Sequence, residues 1–123
     1  MSESLPDVIV LQHRVDPAAL RRLVERFEDM VKYVVDVERR TVAIGGEMHS
    51  DAEQVLLEAG SRQADLWGAN YYPGRGREEC IELTALINIR PAAGNRGMEL
   101  QDPQLRARVR EITFAMVGEG EPV

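Results

Sequence analysis

The pattern of apolar and polar positions divides the chain into eight elements. Asp7 to Gln12 is a β-branched, apolar run, which predicts a strand covered on both faces. Asp16-Pro17 supplies a helix start, an N-cap acceptor followed by the position where proline loses no hydrogen bond. Leu20, Leu23, Val24, Phe27 and Val31 then recur at helical spacing, with Arg21, Arg22, Glu25, Arg26, Glu28 and Asp29 on the wet side. From Val31 the period drops to two. Val31, Tyr33, Val35 and Val37 alternate with Lys32, Val34, Asp36 and Glu38, and Thr41 to Ile44 returns as a second strand, so a hairpin is predicted, ended by Gly45-Gly46.

Ser50-Asp51-Ala52-Glu53 has the form of a capping box opening a helix with Ala52, Val55, Leu56 and Ala59 on one face and Gly60 at its end. Leu66 to Tyr72 and Cys80 to Arg90 predict a second hairpin around Pro73–Arg77. In its second strand Ile81, Leu83, Ala85, Ile87 and Ile89 alternate with Cys80, Glu82, Thr84, Leu86, Asn88 and Arg90 until Pro91. Asp102-Pro103 opens a last helix, striped by Leu105, Val109, Ile112 and Met116 and ended by Gly118. The expected fold is α+β, in the order β-α-β-β-α-β-β-α. It is one domain over residues 1–123, with flexible tails at 1–6 and 119–123. The five strands form a mostly antiparallel sheet, three helices cover one face, and the other face stays open for a ligand or partner.

A length of 123 residues suits one domain, and a net charge of -6 argues against a nucleic-acid surface, which needs a cationic footprint. No apolar run is long enough to span a bilayer, and Met1 to Pro6 has no basic-then-apolar leader, so neither membrane insertion nor secretion is expected. One cysteine, Cys80, excludes an internal disulfide and fits a cytoplasmic location. Fourteen of the fifteen basic residues are arginine, and only Lys32 is lysine.

Gly45 to Glu53 carries the most suggestive chemistry. Read as extended chain it aligns Glu47, His49 and Asp51. Read as a capping box it removes Asp51 and Glu53 from that row, and two remaining ligands do not make a metal site, so no metal is assigned and no cofactor is named. His49, oriented by Glu47, is the candidate general base, because His13 has no acidic neighbour at useful spacing. Cys80 follows Glu78-Glu79, whose charges disfavour a thiolate nucleophile.

Asn88, Arg90, Asn95 and Arg96, among Gly94 and Gly97, form a second constellation, with guanidinium forks and amides suited to a carboxylate or phosphate. Their bland alternatives are a turn cap for Asn95 and a surface ion pair for Arg90. The glycines match no nucleotide-binding fingerprint. On Leu66 to Tyr72, Trp67, Ala69 and Tyr71 share one face, expected to be core or interface. Asn70 and Tyr72 share the other, where Gly68 allows close approach of a ligand.

Ala43-Ile44-Gly45-Gly46-Glu47-Met48-His49, Asp65 to Pro73, Leu86 to Pro91 and Gly94-Asn95-Arg96 together resemble a family of short bacterial and archaeal proteins that carries only the description of a domain of unknown function. The resemblance runs from the first strand to the last helix and implies no activity, cofactor or catalytic residue. Three functional expectations follow from the residues. The first is binding of a small anionic ligand on the open sheet face by Asn70, Asn88, Arg90, Asn95 and Arg96. The second is a hydrolytic enzyme using Glu47 and His49, with or without a metal. The third is an interaction module that pairs with itself as a homodimer.

Overall fold

The structure, a computed structural model, describes residues 8–123, so the expected tail 1–6 lies outside the described residues. Five strands, β1 (Val8–Leu11), β2 (Val31–Asp36), β3 (Thr41–Gly45), β4 (Leu66–Tyr71) and β5 (Ile81–Glu82), form one sheet in the order β1-β3-β2-β4-β5. Every neighbouring pair is antiparallel. Three helices, α1 (Pro17–Phe27), α2 (His49–Glu58) and α3 (Pro103–Met116), complete the order expected from the sequence. Both Asp-Pro starts behave as the local chemistry requires: Asp16 and Asp102 accept hydrogen bonds from the amides of Ala18 and Gln104.

The central strand β2 sets the two sides of the molecule. Tyr33 stands opposite Ile44 and Ala69, and Val35 opposite Val42 and Trp67. These side chains are buried with Leu20 and Leu23 of α1 and Val109 and Ile112 of α3. A chain of hydroxyls crosses this layer: Thr113 donates to the carbonyl of Val109 at 2.7 Å, and Tyr33 bonds Thr113 at 2.7 Å. Burial pushes the Tyr33 phenol far above its usual range.

The opposite face is not open. Val34, Ala43 and Leu66 pack there against Ala52 and Leu56 of α2, so the helices lie on both sides of the sheet rather than on one. The reason is the register: Val34 pairs with Ala43 and Gly68, which makes the second face apolar and shallow at its centre and gives α2 a seat. The start of α2 also differs from expectation. The helix begins at His49 with Met48 as N-cap, and Asp51 rather than Glu53 reaches back, accepting the Met48 amide at 3.0 Å.

The expected strand Cys80 to Arg90 is paired only over Ile81–Glu82. Beyond it the chain makes an isolated bridge between Thr84 and Glu99, and 3-10 turns at Leu86–Asn88 and Pro91–Ala93. The alternation that suggested a long strand fails where it would count, since Asn88 is fully buried while Ile89 is 42% exposed. The C-terminal segment is hydrogen-bonded in place: the Gly120 amide donates to the Tyr71 hydroxyl at 2.9 Å, and the Gly76 amide donates to the Gly120 carbonyl at 3.1 Å. Among the described residues no helix is long and apolar enough to cross a membrane.

Candidate functional site

A polar row crosses the sheet beneath the start of α2. Lys32 of β2 stands opposite Asn70 of β4, which stands opposite Glu82 of β5. Asn70 donates its amide to Glu82 Oε1 at 2.8 Å and reaches the Thr84 carbonyl at 3.5 Å, while Tyr72 donates to the same Glu82 oxygen at 3.0 Å. These donors fix which end of the Asn70 carboxamide is which, and its Oδ1 is left buried without a partner. Lys32 makes no ion pair with any described residue, although Glu82 lies in the same row.

His49, the first residue of α2, sits over this row. Its Nε2 bonds the Ala69 carbonyl at 2.9 Å, which places the proton on that nitrogen while the ring is neutral. The close approach depends on Gly68: a Cβ there would stand 2.7 Å from the Ala85 Cβ and 3.1 Å from His49 Cδ2. The space expected to admit a ligand is therefore taken by the protein's own side chains. Burial lowers the His49 pKa from its ordinary value, and Lys32 lowers it further; the Ala69 carbonyl, Asn70 and Glu82 act the other way.

Between the start of α2 and the segment after β5 lies a cleft of about 380 Å³, lined by Lys32, Met48, His49, Ser50, the run Thr84–Ile87 and Met98. Its polar lining residues are Lys32, His49, Ser50 and Thr84, and three of its apolar side chains are exposed, Met48 (55%), Leu86 (64%) and Met98 (43%). Exposed sulfur and branched aliphatic side chains at a cleft mouth adapt readily to an apolar guest.

Two asparagines hold the far wall. The Asn88 carboxamide accepts from the Gly68 amide at 2.8 Å and donates to the carbonyls of Gly68 at 3.0 Å and Met98 at 3.1 Å. Asn95 donates to the carbonyls of Asn88, Gly97 and Glu99, and accepts from the Gln101 amide at 2.9 Å. Arg90 anchors the same segment from outside. Its guanidinium donates to the carbonyls of Ile87, Gln63 and Leu66, lies 3.7 Å from Glu53 and stacks 4.4 Å from the Trp67 ring.

The structure thus brings together His49 and Asn70, and separates them from Arg90. The Leu66 carbonyl that Arg90 holds is three residues along β4 from the Ala69 carbonyl that His49 holds, about 10 Å of extended strand. Glu47 is exposed, and the His49 ring bonds the Ala69 carbonyl rather than Glu47. Arg96 is exposed and makes no ion pair with a described residue. Lys32 was not among the candidates, yet it carried a signal: it is the sole lysine in a chain of fourteen arginines. Cys80 is buried in the core beside Tyr33 and Tyr71, and burial pushes its thiol up. Among the described residues no group of three or more His, Cys, Asp or Glu could hold a metal ion.

No curated protein and no solved structure matches the chain. Residues 9–116 match the model of the family described as protein of unknown function (DUF5674), a span that runs from within β1 to the end of α3, and the chain belongs to that family.

Proposed function

We propose that the protein binds a small amphiphilic anion in the cleft beside α2, with the anionic head on Lys32 and the apolar body among Met48, Leu86, Ile87 and Met98. One observation carries this reading: a lysine with no ion pair among the described residues lines a mostly apolar cleft. The volume of about 380 Å³ falls within the roughly 300–1,000 Å³ of small-molecule clefts. An ammonium bordered by low-dielectric side chains attracts a counter-charge more strongly than one in bulk water.

In this reading the amides and guanidinium first expected to touch the ligand take different parts. Asn70 lies under the head group, Asn88, Asn95 and Arg90 hold the wall, and Arg96 lies outside. Binding is favoured over hydrolysis by His49 and Glu47 because the imidazole N–H is engaged by Ala69 and Glu47 does not orient the ring.

The test is a thermal-shift series with straight-chain alkyl sulfonates and carboxylates of four to ten carbons, with alkylamines of matching length as controls. The melting temperature rises with chain length for the anions and not for the amines, and Lys32→Met removes the rise without lowering the melting temperature of the free protein. Equal shifts in wild type and Lys32→Met, or no shift with any anion, would overturn the proposal. Concentration-dependent melting without added anion would point instead to a second copy of the chain covering the apolar mouth.

A further inference from the structure

We infer that His49 is a second, proton-dependent contact for the anion, so that an occupied cleft holds the head group between the Lys32 ammonium and the His49 imidazolium. This rests on the reading of the cleft just given and adds a residue, a charge state and a head-group class to it.

A neutral imidazole has one N–H, and His49 uses it on the Ala69 carbonyl. Its other nitrogen has nothing to donate. Lys32 and His49 line the same cleft, and the row Lys32–Asn70–Glu82 runs beneath them. Adding a proton to His49 keeps the bond to Ala69 and supplies a second N–H on a ring that lines the cleft, where an incoming anion brings the acceptor.

In the empty cleft that proton is opposed. Burial disfavours the charged ring, Lys32 faces it from β2, and the positive end of α2 lies at His49 itself. Glu82 faces it from β5 and favours the charged form, Asn70 is the polar group presented by β4, and Asp51 of α2 is engaged by the Met48 amide. The wall Thr84–Ile87 and Met98 bring no titratable side chain to the cleft. An anion placed on Lys32 cancels the strongest nearby positive charge and adds a negative one, so the pKa of His49 rises on binding and the site takes up a proton from solvent. Two cationic contacts select a head group with at least two free oxygens, such as a sulfonate, phosphonate, phosphate monoester or carboxylate.

Linkage fixes the sign. With His49 lowered in the free protein and raised in the complex, affinity grows as pH falls through the bound pKa and levels off below the free one. The probe is octanesulfonate, which stays anionic throughout, titrated calorimetrically between pH 5 and 8 in buffers of different ionisation enthalpy. Affinity rises by about tenfold toward acid, one pKa unit of coupling, with up to one proton taken up per ligand. His49→Gln binds with an affinity that does not vary with pH and takes up no proton. Octanesulfonate binding that is pH-independent and proton-neutral, yet lost in Lys32→Met, would overturn this inference and leave the cleft reading intact. The same pH dependence in His49→Gln would overturn it too, and no binding at any pH would remove both. The proton count is read on the wild-type protein, so it stands even where the variant folds poorly.

Discussion

The carboxamide of Asn88 meets Gly68 with both of its ends, accepting from the amide and donating to the carbonyl, as the peptide of a neighbouring strand would do. It sits where β5 has already left the sheet, so a single side chain closes the edge of β4 that two paired residues leave bare. A third bond to the Met98 carbonyl ties the cleft wall to the same point. Asn88→Leu keeps the volume and removes all three bonds, stranding buried polar groups at about 1–3 kcal/mol each. The expected outcome is a loss of about 3–6 kcal/mol in urea unfolding, with looser packing of Thr84–Met98; a loss under about 1 kcal/mol would contradict this role. The sequence showed an asparagine at a strand-like position but not its purpose. Hydrogen bonding to a distant backbone is a tertiary event, and a polar side chain in an alternating run reads locally as solvent-facing.

At the scale of elements, the two arginines grouped by the sequence pattern part company. Arg90 is inside a set of carbonyls at the margin of β4, and its side chain and that of Glu53 are only 15% and 12% exposed. Arg96 is exposed on the following loop. Arg90→Met, which keeps a stem to cover Trp67, removes the donors of the Ile87, Gln63 and Leu66 carbonyls and the ion-pair partner of Glu53, and is expected to cost about 2–4 kcal/mol by denaturant unfolding. Arg96→Met should stay within about 0.5 kcal/mol of wild type. Equal effects would contradict the separation. What the periodicity could show, it showed: α1, β2, β3, β4 and α3 fall where their stripes, alternation and Asp-Pro starts put them. The region after Glu82 was misjudged because Leu83, Ala85 and Ile87 keep the strand period while the backbone turns away, its curvature set by the asparagine bonds rather than by local propensity.

For the whole molecule, the sheet carries two unequal layers. The face toward α1 and α3 is a broad apolar core, and the face toward α2 is covered only in part, because the helix is short and begins at His49. Where α2 stops covering the sheet, the polar row Lys32–Asn70–Glu82 emerges and the segment after β5 folds back to make the other wall. The cleft is thus a product of strand order, which the sequence could not supply: Lys32 is 38 residues from Asn70 along the chain and directly opposite it in the sheet. His49, Asn70 and Asn88 were visible as chemistry-bearing residues, while the lysine between them looked like an ordinary outward position on a strand. The measurement that tests the central claim most directly is a crystal structure of the protein with octanesulfonate. The account predicts the sulfonate within about 4 Å of the Lys32 ammonium, a salt-bridge distance, and the alkyl chain lying among Met48, Leu86 and Met98. An empty cleft at saturating ligand, or a sulfonate bound on Arg96 or the outer arginines of α3 instead, would contradict it.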